Sequence, residues 1–146
     1  MNVELENFHS TELDCNCGCG KKTSQKLALR LQAFIYQLEA HFKTSIKCIV
    51  HSGARCKKNH ASLKTENDTS YHMGLTRYDE GPGAAVDCHF EMLVPSKKGL
   101  PKWVVINKNT IAELAIKSNL FGGIGWKSYP KNWVMIHFDL GGCRTW

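Results

Sequence analysis

The chain is short of several things, and each shortage narrows what it can be. No apolar run approaches the roughly 18 residues that a membrane-spanning helix needs, which excludes a helical spanning protein. The opening MNVELENFHSTELD is acidic and broken by polar residues. It lacks the basic start and apolar stretch of a secretory signal, so none is expected. No run or stripe of basic residues marks a nucleic-acid groove, and no nucleic-acid partner is expected. The 19 Lys and Arg outnumber the 13 Asp and Glu, for a net charge of +6, but they lie scattered in pairs such as Lys21-Lys22, Lys57-Lys58 and Lys97-Lys98. That mild excess favours anionic partners in general: nucleic acid, an anionic lipid surface or an acidic cell wall. Repeats, low-complexity tracts and linkers are also missing. The 146 residues therefore read as one domain over 1–146, expected to be a monomer.

The seven cysteines do not form the paired CxxC pattern of a structural zinc site. Three crowd together as Cys15, Cys17 and Cys19, and the others stand apart at Cys48, Cys56, Cys88 and Cys143. Reduced thiols are the default without a secretory signal. The cluster reads as packing thiols, a disulfide, or ligands of a second metal at an unusual spacing.

Apolar periodicity supplies the elements. Leu27, Leu31, Phe34, Ile35, Leu38 and Phe42 recur every three or four residues, predicting a helix from Thr23 to about Phe42, capped by Ser24 or Thr23. Ile46 to His51 reads as a strand. Ser52 to Glu80 is polar and aperiodic, a loop of a length that usually carries function. Ala84 to Phe90 reads as a strand. Asn107 to Ser118 reads as a helix with Ile111, Leu114 and Ala115 on one face. Gly122, Gly123 and Gly125 read as a tight turn or bulge, and Trp133 to Leu140 as a closing strand. This order predicts an α+β fold, with helices packed on a mostly antiparallel sheet.

Two strands carry an anomaly. Asp87 interrupts the apolar Ala84-Ala85-Val86-Asp87-Cys88, and His137 interrupts Trp133-Val134-Met135-Ile136-His137-Phe138. A buried carboxylate is costly unless it is paired or binds metal. Together with His72 from the long loop, these two can supply the three ligands of a catalytic zinc site.

The surrounding residues form a series in one order: Ser52-Gly53-Ala54-Arg55-Cys56, Ser70-Tyr71-His72, Gly83-Ala84-Ala85-Val86-Asp87, Gly122-Gly123-Ile124-Gly125, and His137-Phe138-Asp139 followed by Arg144 and Trp146. This series resembles the zinc D-alanyl-D-alanine carboxypeptidase family, which shares its fold with the hedgehog signalling domain. Phe8, Glu12, Cys15 and Cys17-Gly18-Cys19-Gly20 resemble the start of one branch. The resemblance spans nearly the whole chain. It implies zinc held by His72, Asp87 and His137. It implies that Arg55 anchors or polarises substrate and that Ser70 bonds the substrate near the metal. It implies hydrolysis of peptide bonds in peptidoglycan stem peptides or cross-links, as a D,D- or L,D-carboxypeptidase, endopeptidase or phage lysin. The ending is most like the branch that cuts murein cross-links.

Read as residues alone, Arg55 is also a structural ion-pair residue and Ser70 a turn hydroxyl. The family's general base, an acid three residues before the last ligand, falls here on Val134. Asp139 is the substitute, because residues i and i+2 share a strand face. It serves either as base or as a carboxylate that orients a ligand. By the same rule His89 lies on the face of Asp87, as an assisting group, a supplementary ligand or a packed histidine. Trp126 and Tyr129 line the cleft or pack in the core. The missing acid keeps a second reading open: a catalytically inactive metal-binding relative acting as a cell-wall binding or phage structural module.

Two departures stand out. His72 and Asp87 are fifteen residues apart, about twice the family spacing. The insertion falls within Met73 to Glu80 and is expected to bring Arg77, Asp79 and Glu80 to the cleft rim. Asp79 sits at the family spacing from His72, but in a polar loop, so Asp87 is taken as the ligand. Asn67-Asp68-Thr69 stands where the family has a glycine pair.

Overall fold

The computed structural model describes residues 5–7, 10–62, 70–74 and 81–146. Asn67 to Thr69, Arg77, Asp79, Glu80 and Phe8, all raised above, lie outside the described residues. The described chain is mixed α and β, with three α-helices and an open, mostly antiparallel sheet. No helix among the described residues is long and apolar enough to cross a membrane.

A short 3-10 turn at Ser10–Leu13 leads to α1 (Gln25–Phe42). The helix begins after Ser24, whose side chain makes no capping bond, and ends on Lys43 in the left-handed conformation. Its apolar stripe is buried as the spacing predicts: Leu27, Leu31, Phe34, Ile35 and Leu38 face inward, with Phe42 partly buried against the same core. The helix α3 (Lys108–Ser118) starts at Asn107, whose side chain accepts the Asn109 N–H, and buries Ile111, Ala112 and Ala115. An asparagine in this place satisfies one of the amides that the first turn leaves unpaired.

The strands are β1 (Ile46–Ser52), β2 (Ala85–Val94), β3 (Lys102–Val105), β4 (Gly123–Gly125), β5 (Ile136–Asp139) and β6 (Arg144–Thr145). They run in the order β1-β2-β5-β4-β6, with β3 also paired to β2. Strand β2 is the spine. Along one edge it pairs with β1, and along the other with β5 near its start and β3 near its end. Among the described strands only β4 and β6 pair in parallel, and a single parallel bridge joins Thr23 to Gly83 outside them.

Side chains alternate across the sheet. Cys48 of β1, Val86, Cys88 and Phe90 of β2, Ile124 of β4, and Ile136 and Phe138 of β5 join the helices in one hydrophobic core. Phe34 is its centre, edge-on to Phe90, Phe121 and Phe138 at 5.6, 5.7 and 5.6 Å. The opposite face of the same strands presents Asp87, His89, His137 and Asp139. A period of two makes this division unavoidable once the apolar set turns to the core.

Four expectations are corrected. Gly123–Gly125 is a strand between β5 and β6, where a turn was expected. The closing strand is only Ile136–Asp139, and Trp133 and Val134 are exposed ahead of it. The polar stretch after β1 contains a short helix, α2 (Lys57–Ser62). β2 continues past Phe90 to Val94 and meets β3, whose mostly exposed residues lack the alternation that reveals a strand.

Candidate metal centre

Three separate stretches build the site. Asp87 and His137 are directly opposite one another on β2 and β5, so sheet register alone brings them together. His72 comes from the turn Tyr71–Met73. That turn is held by the Arg55 N–H on the His72 carbonyl at 2.8 Å, and by the Ala84 N–H on the Tyr71 carbonyl at 2.8 Å. Ser70 sits at the start of this turn, and its hydroxyl oxygen accepts the His72 N–H at 3.2 Å. One donor atom each from His72, Asp87 and His137 lies within 4.8 Å of the others, and all three can hold a metal ion.

The hydrogen bonds fix which atoms face inward. His72 Nδ1 lies 2.7 Å from the Gly53 carbonyl oxygen, and a carbonyl can only accept, so Nδ1 carries the proton. His72 Nε2 then presents its lone pair to Asp87 Oδ2, 3.3 Å away. Burial pushes His72 below the ordinary histidine range and outweighs the pull of Asp87, which keeps the ring neutral. Two acceptors facing each other in a buried site repel unless a cation lies between them. That is the observation by which the residues fit a metal.

His137 is held from both sides, with Nδ1 2.8 Å from Asp87 Oδ1 and Nε2 2.9 Å from Asp139 Oδ2. Burial pushes the His137 imidazolium down, but the bonds to Asp139 and Asp87 prevail and raise it to about 9. Asp87 is opposed by burial too, yet its bonds to His137 and His72 hold it far below the usual carboxylate range. Tyr129 donates its hydroxyl to Asp87 Oδ1 at 3.3 Å, which places it in the site.

Asp139 is fully buried. Its two oxygens accept the Gly141 N–H at 2.8 Å, Arg144 Nη1 at 3.1 Å and Arg144 Nη2 at 2.6 Å, besides contacting His137. Arg144 is held in turn against the rings of Tyr71 and Trp146, at 4.7 and 4.8 Å from their centroids. Room for this carboxylate comes from Gly123: a Cβ there would lie 2.3 Å from Asp139 Oδ1.

Arg55 approaches Asp87 from the segment after β1. Its Nη2 is 3.6 Å from Asp87 Oδ2, an ion pair without hydrogen-bond geometry. Its Nη1 is 3.3 Å from His60 Nδ1 on α2. Its buried Nε has no hydrogen-bond partner among the described residues.

His89 goes elsewhere. Its Nδ1 pairs with His51 Nε2 at 2.7 Å, and its Nε2 lies 3.3 Å from Glu91. It is not part of the group around Asp87. Trp126 is partly buried against the core. Residue order alone does not reveal the Gly53 carbonyl or the space at Gly123, because both act through a distant segment. No family model, curated protein or solved structure matches this chain.

Proposed function

We propose that this chain is a zinc peptidase of the D-alanyl-D-alanine carboxypeptidase type, with the hedgehog-like fold, acting on peptidoglycan stem peptides or cross-links in the manner of a phage lysin. The observation that carries the reading is the convergence of His72, Asp87 and His137 beside the largely buried side chain of Arg55. Two imidazoles and one carboxylate are the donor set of a catalytic zinc site, which keeps a fourth position open. When bound, zinc supplies Lewis acidity toward a scissile carbonyl and an ionisable water near neutral pH.

The chain's own residues divide the remaining work. The Gly53 carbonyl fixes the His72 tautomer. Asp139, locked by Arg144 and Gly141, orients His137 through Nε2. We therefore assign Asp139 to positioning, since its oxygens are already engaged by four donors. Tyr129 steadies Asp87. Arg55 is the group for substrate: its side chain, 12% exposed, lies beside Asp87, and its buried Nε makes no hydrogen bond among the described residues. A fixed fork of donors suits a peptide carboxylate or a developing oxyanion. Ser70 maintains the turn that carries His72.

Digestion of purified peptidoglycan, read by mass spectrometry, tests the proposal. Zinc-loaded protein is expected to release peptides whose masses identify the bond cut and distinguish terminal D-residue removal from cross-link cleavage. Arg55→Lys is expected to keep zinc and lose most turnover. Wall fragments that bind without being cut would instead establish the inactive wall-binding module, and the absence of both binding and cleavage would overturn the proposal.

A further inference from the structure

The N-terminal loop carries a second constellation that the peptidase reading does not use. Cys15, Cys17 and Cys19 are joined in space by Cys56, which follows Arg55, and the four sulfur atoms lie within 4.8 Å of one another. Cys17 Sγ is 3.4 Å from Cys15 Sγ and 3.5 Å from Cys56 Sγ. A tetrahedron of thiolates around zinc, with Zn–S of about 2.3 Å, has sulfur–sulfur edges of about 3.8 Å. A disulfide pairs two sulfurs and excludes a third. Here Cys17 is shared almost equally between two neighbours, so the arrangement is a cluster and not a pair.

The surroundings treat these sulfurs as acceptors. The Cys56 N–H and the Asn59 side-chain amide both point at Cys15 Sγ, each at 3.4 Å, and the Asn59 N–H points at Cys56 Sγ at 3.3 Å. Donors aimed at sulfur are the outer shell that ligating thiolates require. Gly18, between Cys17 and Cys19, has φ of +77°, a turn conformation that a side chain would strain, and Gly20 at +84° turns the chain again just after Cys19. From Asp14 to Lys22 only Cys15 is buried, so the loop has little apolar packing, and its other ties are polar: the Cys15 N–H on the Lys21 carbonyl at 3.0 Å, the Gly83 N–H on the Lys22 carbonyl at 2.9 Å and the Lys22–Asp14 ion pair at 2.8 Å.

We propose that Cys15, Cys17, Cys19 and Cys56 bind a structural zinc ion that clasps the N-terminal loop to the segment bearing Gly53 and Arg55. As four Zn–S bonds form, the thiol protons pass to solvent. The clasp has a direct consequence for the other centre. Leu13 accepts the Ala54 N–H at 2.7 Å, and a Cβ on Gly53 would lie 2.1 Å from the Leu13 oxygen, so the loop packs tightly on the residues that orient His72 and present Arg55. The cysteine ion thus holds the arginine loop in place and takes no part in the reaction.

Elemental analysis of the full chain, purified under reducing conditions and freed of loosely bound metal, tests this independently of any activity. The wild type is expected to hold about two zinc ions per chain, one in each centre. A Cys17→Ser/Cys19→Ser variant, altered at two exposed positions, is expected to lose one equivalent, as is a His72→Ala/His137→Ala variant. Cobalt(II) loaded into the histidine variant is expected to show thiolate-to-metal charge-transfer absorption and the intense visible bands of a tetrahedral site. The proposal is overturned if the cysteine variant keeps the full wild-type zinc content, or if cobalt in the histidine variant shows no charge-transfer band. Failure of the wall-digestion assay would leave these readouts unaffected.

Discussion

Replacing Asp139 with asparagine separates two roles that a carboxylate beside a metal ligand can play. The change preserves shape and removes one charge from a fully buried position. Arg144, at 2.6 and 3.1 Å, loses its counter-charge, and His137 Nε2, at 2.9 Å, loses a charged acceptor. Breaking a buried ion pair from one side costs about 3–5 kcal/mol. The Arg144 side chain is 29% exposed and recovers part of its hydration, so a loss of about 2–3 kcal/mol in stability is expected. Loss of a carboxylate behind a ligating histidine typically weakens metal binding about 10- to 100-fold. The assays are a competition titration against a chromophoric chelator and denaturant unfolding with the metal removed. If Asp139 positions His137, zinc affinity falls within that range and activity returns at saturating zinc. If Asp139 instead carries the proton, affinity holds while turnover drops by orders of magnitude. Zinc affinity within about twofold of wild type would refute the positioning argument, whatever the activity.

Three further outcomes follow from the same geometry. In the metal-free protein His137 titrates at about 9 against an ordinary 6.5, so its stabilising contribution is complete below pH 6.5 and disappears as pH rises through 9. Urea midpoints measured in chelator should fall across that window, and a flat profile would contradict the paired geometry of His137. Because His137 Nδ1, the ring nitrogen that faces Asp87, must shed its proton to bind metal, zinc affinity should rise over that pH range. Gly123→Ala is expected to weaken zinc binding as well as stability, since its Cβ would lie 2.3 and 2.4 Å from the two Asp139 oxygens; unchanged zinc affinity would show that this contact relaxes freely. Phe34→Ala removes the ring around which Phe90, Phe121 and Phe138 pack and is expected to cost about 3–5 kcal/mol, with a loss below about 1 kcal/mol in denaturant unfolding counting against its central place.

Much of the scaffold was legible because it depends on local pattern. The three- and four-residue spacing from Leu27 to Leu38 specifies a helix face, and alternation in Ile136-His137-Phe138-Asp139 commits His137 and Asp139 to one side of a strand. Asp87 was legible for a different reason: a charge inside an apolar strand needs a partner. The short strands were not legible. β6 has two residues and β4 three, two of them glycines, and both exist only through pairing with segments distant in sequence.

What residue order alone determined was therefore the candidate ligands His72, Asp87 and His137 and the strand faces that Asp87 and His137 occupy, since periodicity and the cost of burying charge act within a few residues. Tertiary structure alone decided that Gly53 orients His72, that Arg144 closes on Asp139 in the space left by Gly123, and that Cys56 completes a group begun at Cys15. Each of these contacts joins chain segments whose approach is set by sheet register and loop packing, and no local pattern carries that information.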